Sequence, residues 1–81
     1  DAVESKGLIS FYPNPANNTI YIDCCEESDI DVQIFDMNGR VLLHRLLGER
    51  RDLAIEFLPG GMYIIQIIAN HTIYHLKLLK K

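Results

Sequence analysis

The sequence predicts an all-β domain, an antiparallel sandwich of about seven strands. Three observations carry that reading. Apolar and polar residues alternate with the two-residue period of half-buried strands along most of the chain. The alternating segments begin near residues 8, 18, 30, 40, 52, 62 and 72, a spacing of about ten residues that suits a sandwich built of short strands. Turn-forming residues separate almost every pair of segments. Helical periodicity competes in one place, Arg40 to Leu47, where Val41, Leu42, Leu43, Leu46 and Leu47 also fit a helical stripe. A strand is preferred there, because so short a helix is marginal and the preceding turn commits the chain to antiparallel pairing.

Leu8 to Tyr12 forms the first strand, stopped by Tyr12-Pro13-Asn14-Pro15. Two prolines one residue apart remove two backbone donors and hold the chain extended. Asn17-Asn18-Thr19 supplies turn chemistry, and Ile20 to Asp23 follows as the second strand with both isoleucines on one face. After the charged loop Glu26-Glu27-Ser28-Asp29, Ile30, Val32 and Ile34 define the inner face of the third strand. Asp36-Met37-Asn38-Gly39 is the strongest hairpin signal: the aspartate can bond back to the turn, and Asn38-Gly39 accepts positive φ. Strands three and four are therefore neighbours. Gly48 to Arg51 is a polar loop.

The chain is arranged around Leu53 to Ala69. Leu53, Ile55 and Phe57 alternate as a strand. Leu58-Pro59-Gly60-Gly61 then offers the fixed φ of a proline, followed by a glycine where a type II turn needs positive φ. Met62 to Ala69 presents Tyr63, Ile65 and Ile67 to one face and Met62, Ile64 and Ile68 to the other, so it is expected at the centre of a sheet. Asn70-His71 makes a second tight turn. Thr72 to Lys80 returns as the last strand, with Tyr74, Leu76 and Leu78 on one side and Ile73, His75, Lys77 and Leu79 on the other.

At 81 residues the chain is one domain, burying about 60 to 65% of the surface its extended form exposes. An apolar fraction of 48% and a net charge of −3 separate it from disordered sequences. Residues 1–7, a polar run without a secretory apolar region, read as a linker from an upstream domain, leaving 8–81 as the folded unit. Charge is uneven: residues 1–36 carry −7 and residues 37–81 carry +4, with Arg50-Arg51 and the tail Lys77, Lys80 and Lys81 in the basic half. A pI near 5.5 and the lack of interleaved aromatics argue against nucleic acid.

Catalysis needs a nucleophile or paired titratable groups in a pocket, and a sandwich this small fills its interior with side chains. No enzyme activity, small-molecule substrate, cofactor or metal is expected. His44, His71 and His75 lack ligand spacing, and Ser10 and Ser28 have no base partner. Cys24 and Cys25 are adjacent, so a bridge between them would be strained. One reads as a small core side chain and the other as an exposed thiol able to join two chains in an oxidising compartment. The sequons at Asn17 and Asn70 read as turn residues. Tyr12, Tyr21, Tyr63 and Tyr74 lie in four different strands, and packing is preferred for them over a sugar-binding platform.

Three separated pieces then meet in one pattern: Tyr12-Pro13-Asn14-Pro15 after a short strand, Val32-Gln33-Ile34-Phe35-Asp36-Met37-Asn38-Gly39-Arg40-Val41, and Leu58-Pro59-Gly60-Gly61-Met62-Tyr63-Ile64-Ile65 followed by a lysine-bearing last strand. In their order and spacing they resemble the type A C-terminal sorting domain of the type IX (Por) secretion system, from Leu8 to Lys81. The resemblance implies an immunoglobulin-like sandwich fold and a non-catalytic address on a larger cargo, exported through the periplasm of a Gram-negative bacterium. It would be recognised at the outer-membrane translocon and removed by a surface sortase that attaches the cargo to anionic lipopolysaccharide. Carried over by position, the late motif falls on Gly61 and Tyr63, the turn on Asn38 and Gly39, the early motif on Tyr12, Pro13, Asn14 and Pro15, and the terminal bases on Lys77, Lys80 and Lys81. Cleavage is expected before Leu8. Arg40 where lysine is common, and Cys24-Cys25, depart from the pattern.

Physically, such a handle must be rigid: Gly61 permits the turn, Tyr63 anchors the last hairpin and the lysines are displayed. If the last strand lies at a sheet edge it could accept a strand from a receptor or from a second copy. The rival reading, a surface adhesion or carbohydrate-binding sandwich, places function on loop tips and exposed tyrosines.

Overall fold

The structure, a computed structural model, describes residues 9–24 and 29–81. The expected linker over 1–7, the start of the first strand at Leu8, Cys25, and Glu26, Glu27 and Ser28 of the charged loop lie outside the described residues. Among the described residues there are seven strands and no helix: β1 Ile9–Tyr12, β2 Thr19–Cys24, β3 Ile30–Phe35, β4 Val41–Leu47, β5 Asp52–Ala54, β6 Gly61–Ala69 and β7 Thr72–Lys80. Each strand begins within one residue of the position expected from the alternation. All pairings between them are antiparallel.

The strands form two sheets, β1-β2-β5 and β4-β3-β6-β7. The inward side chains of both sheets make one core: Ile20 and Ile22 from β2, Leu53 from β5, Ile30, Val32 and Ile34 from β3, Leu43 from β4, Tyr63, Ile65 and Ile67 from β6 and Leu78 from β7 are all buried. Burying an aliphatic side chain of this size stabilises by about 1.5–3 kcal/mol before chain entropy is subtracted. The period-two pattern therefore decides which face of each strand turns inward.

Arg40 to Leu47 is strand, not helix, because Ile30↔Leu47 through Ile34↔Leu43 lock it into register with β3. The connecting turn closes with the Gly39 amide on the Asp36 carbonyl at 3.0 Å, and the Asp36 carboxylate accepts from the amides of Asn38 and Arg40, both at 2.9 Å. Positive φ falls on Gly39 alone, at +86°. Asn38 keeps negative φ, which makes this a type I turn followed by a left-handed glycine. The β6–β7 turn is of the other kind: Asn70 (+51°) and His71 (+68°) are both left-handed, as a two-residue type I′ connection requires.

Two expectations around Leu53 to Gly61 need correction. The fifth strand ends at Ala54 and does not continue to Phe57, which is 55% exposed. The chain turns over Ile55 to Leu58, with the Leu58 amide on the Ile55 carbonyl at 3.0 Å. This turn delivers both Ile55 and Leu58 into the core and swings Phe57 outward, so burying two aliphatics prevails over continuing the alternation. The second correction is that positive φ lies at Gly61 (+155°) and not at Gly60. The segment carries the chain from one sheet to the other, so it is a crossover between layers and not a hairpin.

Candidate functional site

β6 and β7 pair over their whole length, from Gly61↔Lys80 to Ala69↔Thr72. Among the described residues β6 is central, between β3 and β7, and β7 is an edge strand. Leu78 is buried, Tyr74 and Leu76 are half-buried, and Ile73, His75, Lys77 and Leu79 on the other face are exposed, as the alternation requires.

The start of this hairpin is tied to its end. Tyr63 is buried, and its hydroxyl donates to the Pro59 carbonyl at 2.5 Å, so the side chain reaches back past Gly61, the first residue of β6, and Gly60 before it. A Cβ on Gly61 would lie 4.0 Å from that hydroxyl, while one on Gly60 would lie 3.2 Å from the backbone carbonyl carbon of Lys81. Gly61 serves the backbone conformation; Gly60 serves the close approach of the chain end. Gly60 was visible in the sequence only as part of a turn.

Asn14 supplies the second tie. Its side chain spans the outer edge of β7, with Oδ1 accepting from the Leu79 amide at 2.9 Å and Nδ2 donating to the Lys77 carbonyl at 3.1 Å. Ala16, fully buried, continues the contact: its amide donates to the Leu79 carbonyl at 2.7 Å and its carbonyl accepts from the Lys81 amide at 2.8 Å. The Tyr12-Pro13 and Asn14-Pro15 peptides are both cis. Prolines have no N–H, so an amide side chain between them is the local means of pairing with a strand edge, and a small residue after them can approach it closely. The composition of Pro13-Asn14-Pro15-Ala16 carried that signal, but its target lay out of sight 65 residues away.

The three terminal lysines are not equivalent. Lys77 and Lys81 are exposed, but Lys80 is only 9% exposed. The expectation of a displayed lysine tail therefore meets an exception at Lys80, which falls on the same side of β7 as Leu76 and Leu78. A lysine in that position lays its aliphatic stem along an apolar face. The signal that could have found this placement is the residue's parity with Leu76 and Leu78.

The family model described as the secretion system C-terminal sorting domain matches residues 10–81. The chain belongs to that family. This sorting domain is a C-terminal signal for type IX secretion, and membership implies a Por secretion system, a cargo in the same chain, and a surface or secreted destination. No curated protein matches it.

The remaining candidates of the sorting domain are dispersed. Asn38 and Gly39 lie in the exposed β3–β4 turn. His44 meets the Asp31 carboxylate at 3.0 Å, His75 meets Gln66 Oε1 at 3.0 Å, and His71 sits in the β6–β7 turn. Among the described residues no group of three or more His, Cys, Asp or Glu is placed to hold a metal ion. Cys24 is half-buried and packs against the core. Tyr12 and Tyr21 stack on the outer face of the three-stranded sheet with ring centroids 5.6 Å apart, whereas Tyr63 is buried and Tyr74 half-buried in the other sheet. The four tyrosines do not make one platform.

Proposed function

We propose that the domain is a non-catalytic address whose recognised element is the β6–β7 hairpin. The type IX translocon reads it, and a surface sortase then cuts the linker before Leu8 and joins the cargo to anionic lipopolysaccharide. Gly61 and Tyr63 hold the hairpin in shape, Lys77 and Lys81 present charge to the receptor, and Lys80 anchors the chain end beneath them. Asn38, Gly39 and the Tyr12-Pro13-Asn14-Pro15 motif act by maintaining the fold that displays the hairpin. The observation that carries this reading is that the last strand is an ordered edge, tied at Asn14 and Gly60, with two ammonium groups exposed beside it. A preorganised element of this kind binds without first losing chain entropy. The same edge can pair with a second copy of the domain.

The test is to fuse residues 1–81 to an inert periplasmic protein in a host with type IX secretion. The intact fusion reaches the surface, and a fusion lacking Leu76 to Lys81 stays in the periplasm. Surface delivery of the truncated fusion sinks the reading. The exposed Tyr12–Tyr21 stack favours a second reading, glycan binding on the outer face of the three-stranded sheet. That reading predicts glycan affinity lost with Tyr12→Ala and indifference to the terminal lysines.

A further inference from the structure

The outer edge of β7 is half closed. The hydrogen bonds to Asn14 and Ala16 use the outward groups of Lys77, Leu79 and Lys81, so the odd-numbered residues of β7 turn their backbone away from β6. By the same alternation Ile73 and His75 do so too. Among the described residues nothing pairs with the outward amides and carbonyls of Ile73 and His75, or with the Lys77 amide. The Lys77 carbonyl, engaged by Asn14, keeps a second lone pair. What remains is a short open edge from Ile73 to Lys77, bounded by the type I′ turn at one end and the Asn14 contact at the other.

We propose that this open edge pairs antiparallel with the same edge of a second copy, in a register centred on His75, and that acid dissociates the pair. The inference extends the edge-pairing reading above and does not depend on the sorting role. The register follows from which groups are open. Pairing His75 with the second copy's His75 places Ile73 opposite the second copy's Lys77, engages every open group on both copies, and forms about six hydrogen bonds. Sliding by two residues either way, the smallest step that keeps outward groups facing each other, brings His71 of the left-handed turn, or Leu79 already held by Asn14, into the ladder and forfeits about two of them. Charge agrees with this choice: Lys77 meets an exposed isoleucine along which its stem can lie, not another lysine. A contact this short buries well under about 1,000 Å², so the dimer is weak and forms at high local concentration.

Acid sensitivity follows from the centre of the register. Directly opposed residues have Cβ atoms about 5 Å apart, which brings the two His75 rings side by side on the outer face. Each His75 meets Gln66 Oε1 at 3.0 Å, a contact the neutral ring makes as an Nε2–H donor. The charged groups facing it are Asp36 across the shared groove and Lys77 on its own strand, together with the second copy's His75 and Lys77. Protonation sets two imidazolium ions against each other between two lysines. One aspartate per copy does not offset that repulsion.

Sedimentation equilibrium of the reduced chain up to about 1 mM, at about pH 8 and about pH 5.5, brackets the range in which histidine changes charge. The expected result is a reversible dimer at the higher pH whose dissociation constant rises roughly tenfold at the lower. His75→Gln should dimerise equally at both. Ile73→Pro, which removes an outward amide and no β6–β7 bond, should be monomeric. Should Ile73→Pro fail to fold by circular dichroism, His75→Lys, which fixes like charges at the centre, should be monomeric at both pH values. A wild-type monomer at about 1 mM and pH 8, a dimer indifferent to pH, or one that survives His75→Lys overturns the proposal. Export of the fused reporter tests the sorting role separately, so either can fail alone.

Discussion

Asn14 closes the edge of the last strand by accepting the Leu79 amide at 2.9 Å, across 65 residues of chain. Together with its 3.1 Å bond to the Lys77 carbonyl, and beside the backbone bonds of Ala16, this makes one amide side chain a link between the β1–β2 connection and the C-terminal hairpin. The early motif and the lysine-bearing tail are thus one structural unit.

Replacing Asn14 should therefore loosen the tail. Asn14→Ala is expected to cost about 1–2 kcal/mol for its two bonds, lowering Tm by about 4–8 °C per kcal/mol in a domain of this size. Amide exchange should accelerate at Leu79 and Lys81. Asn14→Asp should be no milder, because its second oxygen would face the Lys77 carbonyl.

Tyr63 combines a buried ring with a hydroxyl bonded to Pro59, and the two contributions can be separated. Tyr63→Phe removes only the bond and should cost about 1 kcal/mol in urea unfolding. Tyr63→Ala also removes the ring and should cost about 3–5 kcal/mol. If Tyr63 acts by shaping the hairpin, the fusion carrying Tyr63→Phe is exported and the one carrying Tyr63→Ala is not.

The terminal lysines should divide by burial. Lys77→Ala and Lys81→Ala are expected to change stability by less than about 0.5 kcal/mol. Lys80→Ala should cost about 1 kcal/mol through lost packing, and Lys80→Met should restore most of it. In export the ranking should reverse: the double change of Lys77 and Lys81 to alanine impairs delivery more than Lys80→Met. Equal thermal effects of the three single alanine variants would contradict the burial argument.

His71 occupies left-handed backbone at +68° without being glycine. His71→Gly relieves a strain of about 1 kcal/mol and should raise the unfolding midpoint in urea. An unchanged or lowered midpoint would mean that the side chain contributes more in this turn than its backbone loses.

The sequence determined by itself where the strands begin, which faces turn inward, that β3–β4 and β6–β7 are hairpins, and that β6 is central. Each of these depends on groups only a few residues apart: the two-residue alternation of Ile30, Val32 and Ile34, the Asp36 carboxylate beside Gly39, the paired turn residues Asn70 and His71. The burial of Lys80 ran against the expected display of all three lysines, although its parity with Leu76 and Leu78 held the signal. The tertiary structure alone decided that Phe57 leaves the fifth strand, that Gly60 meets Lys81, and that Asn14 and Ala16 close one half of the β7 edge and leave Ile73 to Lys77 open. Those outcomes depend on how two sheets close over a shared core. Groups as far apart as Asn14 and Leu79 come within hydrogen-bonding distance only after both layers have packed.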